Sequence, residues 1–145
     1  MDNLVIRELR VEDAGDVSRI YGSIVKNNEK IDFKRILNEQ SKSSGMASFV
    51  AEVNGKVVGY LISYRLSGGF GIDRSAWIAL VGVDPKFMDQ GIGKGLAEEA
   101  FRFYREKGIN NIYTTVEWDS TDMLQFFKAL GFDRSEFVNL RKVIE

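Results

Sequence analysis

Apolar and polar positions along this chain repeat with two periods, and the switches between them outline a series of strands and helices. Leu4-Val-Ile-Arg-Glu-Leu9 alternates and predicts a first strand. From Asp13 to Lys26 the apolar residues Ala14, Val17, Ile20, Tyr21 and Ile24 recur at helical spacing. A second helix is expected at about Asp32 to Gln40, with Phe33, Ile36 and Leu37 on one face. Ser41-Lys-Ser-Ser-Gly45 ends it as a loop. Ala47 to Val53 and Lys56 to Tyr64 read as two strands joined through Asn54-Gly55. That dipeptide predicts a tight hairpin, because a type I′ turn needs positive φ at both central positions. Ser67-Gly-Gly-Phe-Gly71 reads as a flexible hairpin connection. Trp77-Ile-Ala-Leu-Val-Gly-Val83 is apolar on both faces, which predicts a central strand.

The period then returns to 3.6. Ile92 to Lys107 predicts a long helix with Ile92, Leu96, Ala100 and Phe103/Tyr104 on its buried stripe, stopped at Gly108. Asn111 to Glu117 predicts another strand. Asp119 or Ser120 is expected to cap a last helix through Met123, Phe127 and Leu130, stopped by Gly131. Phe132 to Val143 is expected to close the chain as a strand or short hairpin. The order β-α-α-β-β-β-α-β-α-β implies an α/β fold whose sheet is partly antiparallel. No repeat, linker or low-complexity tract interrupts it, so residues 1–145 are expected to form one domain.

Composition narrows the chemistry. The chain has no cysteine and no histidine. Thiolate catalysis, Ser-His-Asp mechanisms and His or Cys metal sites are therefore excluded, and no metal is expected. Acid–base work falls to Asp, Glu, Tyr, Lys, Ser or water. A net charge of -1 gives no reason to expect nucleic acid or an anionic membrane as partner. No apolar run approaches the roughly 20 residues that span a bilayer. The N-terminus lacks the basic and apolar regions of a signal peptide, so a cytoplasmic protein is expected.

The chemistry concentrates in Val81-Gly-Val-Asp-Pro-Lys-Phe-Met-Asp-Gln-Gly-Ile-Gly-Lys-Gly-Leu96. A strand, a glycine loop and a helix N-terminus in that order suit a phosphate. The first N–H groups of a helix have no partners inside it, and the dipole there favours negative charge. Two familiar signatures fail. A P-loop needs Ser or Thr after Gly93-Lys94, where Gly95 stands. A dinucleotide fingerprint starting at Gly91 and Gly93 meets Leu96.

The stretch instead resembles motif A of the GNAT superfamily, the acyl-CoA-dependent N-acyltransferases: Arg/Gln-x-x-Gly-x-Gly/Ala at the start of the helix after the fourth strand. Ile6-Arg7 with Asp13-Ala14, Val83-Asp-Pro85, Gly91-Ile-Gly-Lys94 and Phe126-Phe-Lys-Ala-Leu-Gly-Phe132 look like that family's recognisable points, and the element order matches over the whole chain. The resemblance implies a mixed, mostly antiparallel central sheet with splayed fourth and fifth strands, flanked by about four helices. It implies acetyl-CoA as acyl donor. The acceptor it implies is a primary amine of a small molecule, peptide or protein, and it allows a homodimer. Gln90-Gly-Ile-Gly93-Lys-Gly95 fits motif A literally. The distance from Pro85 and the helix phase favour Met88-Asp-Gln-Gly91-Ile-Gly93 instead, with Ile92 and Leu96 facing the core. In that register Met88 stands where Arg or Gln is usual. The pyrophosphate then falls to Asp89, Gln90, Gly91, Ile92, Gly93 and Lys94, with the N–H groups of Gln90 to Lys94 as cradle and Lys94 as a nearby positive charge. The pantetheine arm is expected on the backbones of Val81 and Val83, and Gly82 is expected to permit the bulge that splays the strands.

The acid–base residues depart from the pattern. In many members of the family that this chain resembles, a Tyr, with an Asn seven residues earlier, protonates the departing thiolate. Here Phe127 and Ser120 stand at those positions. Either solvent or Ser120 supplies the proton, or the chain is a weaker or non-catalytic, acyl-CoA-sensing member. Glu117 is the expected base, at the end of the fifth strand and on one face with Thr115. Glu52 is a second candidate. Asp119 and Asp122 read as cap and first-turn residues, and Trp77, Trp118, Tyr60 and Tyr64 as core or pocket-wall residues.

Overall fold

A computed structural model describes residues 3–25, 31–40, 47–66 and 74–145. The expected loops at 41–45 and 67–71 lie outside the described residues. The chain divides into two compact units, Met1–Thr114 and Thr115–Glu145. The first holds β1 (Leu4–Glu8), α1 (Ala14–Ile24), α2 (Phe33–Gln40), β2 (Phe49–Val53), β3 (Lys56–Leu66), β4 (Ser75–Val83), α3 (Ile92–Glu106) and β5 (Ile112–Thr114). The second holds α4 (Thr121–Ala129). Among the described residues no helix is long and apolar enough to cross a membrane.

The five strands form one sheet in the order β1-β2-β3-β4-β5. The first three pairings are antiparallel and β4–β5 is parallel. The fold is thus the mixed, mostly antiparallel α/β sheet that the sequence predicts. Asn54 (φ 53°) and Gly55 (φ 80°) both sit at positive φ, and the hairpin closes on the Val53–Lys56 pair.

Alternation along the strands builds two apolar layers. Val50, Val57, Tyr60 and Ile62 pack against Val17 and Ile20 of α1 and Phe33 and Leu37 of α2. Burying each such side chain contributes about 1.5–3 kcal/mol. Gly59, next to Tyr60, points to the opposite face, where α3 lies. A Cβ at Gly59 would stand 3.1 Å from Ile92 Cγ2 and 3.3 Å from Leu96 Cδ1, so the missing side chain sets how closely α3 approaches β3. Ile92, Leu96, Ala97, Ala100 and Tyr104 are buried along α3. Tyr104 adds a polar anchor. Its hydroxyl lies 2.7 Å from Ser63 Oγ and accepts from the Ala47 N–H at 3.1 Å. Burial pushes its pKa up.

Both long-predicted stops are present. Gly108 (φ 75°) and Gly131 (φ 98°) take left-handed conformations. Ile109 N–H donates to Tyr104 O, and Phe132 N–H to Phe127 O, closing each helix with the same glycine motif. Two expectations fail. The fifth strand was expected over Asn111–Glu117 but spans only Ile112–Thr114. No strand forms over 132–143. The apolar pattern there favours strand, yet a strand exists only where its N–H and C=O groups meet a ladder partner. No ladder includes any residue after Thr114, and Val138, Leu140 and Ile144 are exposed.

Candidate active site

The site begins where β4 loses its second neighbour. β5 pairs with β4 only over Ala76–Ile112, Trp77–Tyr113 and Ile78–Thr114. Thr114 Oγ1 donates to Ile78 O at 2.9 Å and ends that ladder with a side chain. Beyond it, Leu80 to Val83 pair with β3 alone among the described residues. The splay is therefore a loss of pairing that starts at Ile78, and it leaves the outer edge of β4 open beside Val81 and Val83. The bulge does not lie at Gly82, as expected. Ile62 pairs with Leu80 and Ser63 with Ile78, so Ala79 is the extra residue. Gly82 serves another need: a Cβ there would stand 2.8 Å from three atoms of the Tyr60 side chain, which crosses over it. Bulge position follows cross-strand register, which residue type alone does not encode.

The chain leaves β4 through Asp84 and the short 3-10 turn Pro85–Phe87. Asp84 is buried, and its Oδ1 accepts from Lys86 N–H at 3.0 Å. That bond, followed by the Arg19 guanidinium, outweighs burial and holds its carboxyl below the usual range. Asp89 (φ 62°) and Gly91 (φ 81°) then turn the backbone left-handed into α3. Gly91 is the N-cap, no side chain caps the helix, and its first turn carries no acidic residue. Gly95 N–H donates to Gly91 O at 2.9 Å as the first helical bond. The N–H groups of Ile92, Gly93 and Lys94 precede it and have no acceptor within the helix. A bare, dipole-positive helix start behind a left-handed glycine can receive a phosphate. Ile92 and Leu96 are buried, in the phase that the Gly91-Gly93 register requires. Ile92 thus offers only its backbone to a ligand. Met88, Asp89, Gln90 and Gly91 are exposed. Lys94 points outward and lies 3.9 Å from Glu98.

The Arg7–Asp13 pair of the N-terminal motif is architectural. Arg7 holds Asp13 through two bonds, Nη1 to Oδ2 at 2.9 Å and Nη2 to Oδ1 at 2.8 Å. Its Nε donates to Glu52 Oε2 at 2.7 Å. Burial raises the Asp13 pKa, but the bonds from Arg7 and the Arg10 N–H together lower it below its ordinary value. Glu52 is thereby committed to an ion pair, which argues against it as a base.

Glu117 and Ser120 lie in the second unit. Glu117 is exposed and lies three residues past the end of β5 rather than on it, so it shares no strand face with Thr115. Its carbonyl accepts from Ser120 N–H at 3.0 Å, which forms a turn before α4. Ser120 occupies the N-cap position without a side-chain cap bond, and Asp122 falls in the first turn. Phe127 is buried, with the Phe126 and Phe132 rings 5.1 Å away. Trp118 is fully exposed, which corrects its reading as a core or wall residue. Tyr64 is partly exposed, Trp77 stacks on Tyr113 at 5.0 Å, and Tyr60 is core. The sequence reading missed Arg19 and Thr114, which bond the turn and the splay. Thr114 was readable only as a strand residue; Arg19 has a local carboxylate in Asp16, 3.5 Å away, but no local signal points to Asp84, 65 residues on.

Residues 10–132 match the Acetyltransferase (GNAT) family. A mycothiol acetyltransferase of Amycolatopsis mediterranei is 33% identical over 91 residues, covering 61% of this chain and 30% of that protein. An uncharacterized N-acetyltransferase of Methanocaldococcus jannaschii is 27% identical over 141 residues, covering 92% of this chain and 62% of that protein. The chain thus spans less than two thirds of the length of either relative. An aminoglycoside acetyltransferase from an uncultured soil metagenomic sample, solved with trehalose, superposes with a TM-score of 0.79 at 25% identity, covering 99% of this chain and 98% of that chain.

Proposed function

We propose a function from one premise: the chain belongs to the GNAT acetyltransferase family, and is an acyltransferase enzyme. The whole chain acts as one domain that moves an acetyl group from acetyl-CoA to a primary amine by direct attack. The observation that carries this is the uncapped start of α3 behind Gly91, beside the open edge of β4. Backbone N–H groups from Gln90 to Lys94, with Asp89 shaping the turn, hold the pyrophosphate. The open-edge backbones of Val81 and Val83 take the amide-bearing arm, and an N–H near Val81 polarises the thioester carbonyl.

Glu117 takes the amine's proton, directly or through water, so that the nitrogen lone pair can attack the carbonyl carbon. The carbon–sulfur bond then breaks with its electron pair on sulfur. Solvent or Ser120 returns a proton to the thiolate. A thiol leaves without an acid because its pKa lies near 8.5, so Phe127 slows the reaction rather than forbidding it. The acceptor is a small-molecule amine or a peptide or protein amine. The names of the relatives above support the amine class and not one member of it.

A thiol-release assay with acetyl-CoA and a panel of amines, peptides and protein N-termini tests the transfer. Release above hydrolysis with at least one acceptor is expected, and none with any acceptor would sink the transferase. Glu117→Gln is expected to cut the rate about 100-fold and to change its pH profile. An unchanged profile removes Glu117. Phe127 favours one second function, an acyl-CoA sensor. Tight CoA binding by calorimetry without turnover would select it.

A further inference from the structure

The β3 bulge, the end of β4 and α1 meet at Asp84. Ala51 pairs with Gly59 and Glu52 with Val57, so Val58 is an extra residue on β3. Two carbonyls at this bulge bond outside the β2–β3 ladder. Val58 O accepts from Asp84 N–H at 2.8 Å, and Val57 O accepts from Arg19 Nη2 at 3.0 Å. Arg19 Nη1 donates to Asp84 Oδ2 at 3.1 Å. The other Asp84 oxygen takes the Lys86 N–H, and Phe87 N–H donates to Asp84 O at 2.8 Å. One guanidinium from α1 thus grips both the bulge and the residue that shapes the turn after β4.

We propose that Arg19 is a positioning residue for the cofactor: it fixes the Asp84–Pro85 turn and, through it, the Gly91 cradle. The inference rests on the acyl-CoA function above. The segment from Asp84 to Ile92 carries the chain from the sheet to α3. Its far end is fixed by buried Ile92, while Met88, Asp89, Gln90 and Gly91 between the ends are exposed. Their backbone directions therefore depend on where the two ends are held. Val17 and Ile20 bury α1 on the face of the sheet away from α3, so Arg19 sets the near end from a rigid base. Arg19 is 42% exposed, so screening removes most of the plain charge attraction. What remains is the fork: Nη1 on Asp84 and Nη2 on Val57 O in fixed geometry, with Asp16 Oδ1 3.5 Å from Nη2 on the same helix, an arrangement that a lysine cannot reproduce.

Calorimetric titration with CoA, alongside steady-state kinetics, tests this on the full chain. Arg19→Ala should raise the CoA Kd and the acetyl-CoA KM about tenfold. The kcat and the acceptor KM should stay within about twofold, since neither reacting group touches Arg19. Arg19→Lys should recover part of the affinity. Phe49→Ala, a core cavity against Phe103 in the C-terminal half of α3 and outside the layer that seats α1, supplies a matched loss of Tm. Unchanged CoA affinity in Arg19→Ala overturns the proposal, as does an equal loss in Phe49→Ala or full rescue by lysine. A native chain that binds no CoA instead overturns the cofactor assignment itself, and this inference with it.

Discussion

The proposed cofactor cradle and the segment after β5 are built in opposite ways. That cradle is backbone held at its two ends by buried anchors, Ile92 and Leu96 on α3 and Asp84 in its turn, with the exposed Gly91 at positive φ between them. The segment from Thr115 onward holds one helix, and its candidate chemistry is side chains near the surface, Glu117 and Ser120. Phosphate recognition through N–H groups needs a fixed chain path but almost no particular side chain. Proton transfer needs particular side chains. Loss of a side chain should therefore hurt the first region through folding and the second through chemistry.

The sharpest blow to the unit that carries the first region is Arg7→Ala. It leaves the buried Asp13 carboxylate without its two-bond partner and should cost about 3 kcal/mol in urea unfolding. Its pH dependence is also diagnostic. The Asp13 pKa is lower folded than unfolded, so the pair stabilises above the unfolded value of about 3.9 and fades as pH falls through the folded value. The variant should lose that part of the acid limb. Equal slopes in both proteins below about pH 4 would show that Asp13 gains nothing from Arg7. Next is Gly82→Ala. The added methyl meets the Tyr60 side chain at 2.8 Å, and overpacking should cost about 2 kcal/mol. A Tm equal to the native one would mean that β4 shifts freely there, and that the open edge is softer than the cradle comparison requires.

Legibility in the sequence followed the same divide. Local signals carried the hairpin at Asn54-Gly55, the glycine stops at Gly108 and Gly131, and the buried phase of Ile92 and Leu96, because each depends on residues within one or two turns of chain. Properties set by distant partners were not readable. The bulge falls at Ala79 because of how β3 and β4 align, and Gly82 is small because Tyr60 lies across it. Arg19 finds Asp84 across 65 residues. The apolar alternation after Phe132 predicts a strand correctly by propensity and fails for want of a ladder partner. Of the candidate site, the glycine turn was readable because positive φ nearly names its residue. Glu117 was misplaced onto a strand because the end of β5 is fixed by the Thr114 side chain, not by its own pattern.

A gentler probe of the cradle is Gly91→Ala. No atom would lie within 4 Å of the new methyl, so the whole cost is the left-handed backbone, about 1 kcal/mol. CoA affinity should fall with it if the turn relaxes toward negative φ. An alanine variant with native stability and native CoA binding would show that this φ is not what shapes the cradle.

The smallest expected effect lies in the second region. Ser120 stands at the N-cap of α4, where replacing serine by alanine usually costs about 1 kcal/mol. Here the hydroxyl makes no cap bond, so Ser120→Ala should cost no more than about 0.5 kcal/mol in a denaturant titration. Its effect should appear in turnover instead, as a lower kcat at alkaline pH, where solvent protonates a thiolate least readily. A full cap's worth of lost stability with unchanged kcat would reverse the contrast. Ser120 would then be an anchor like Asp84, and solvent alone would return the proton.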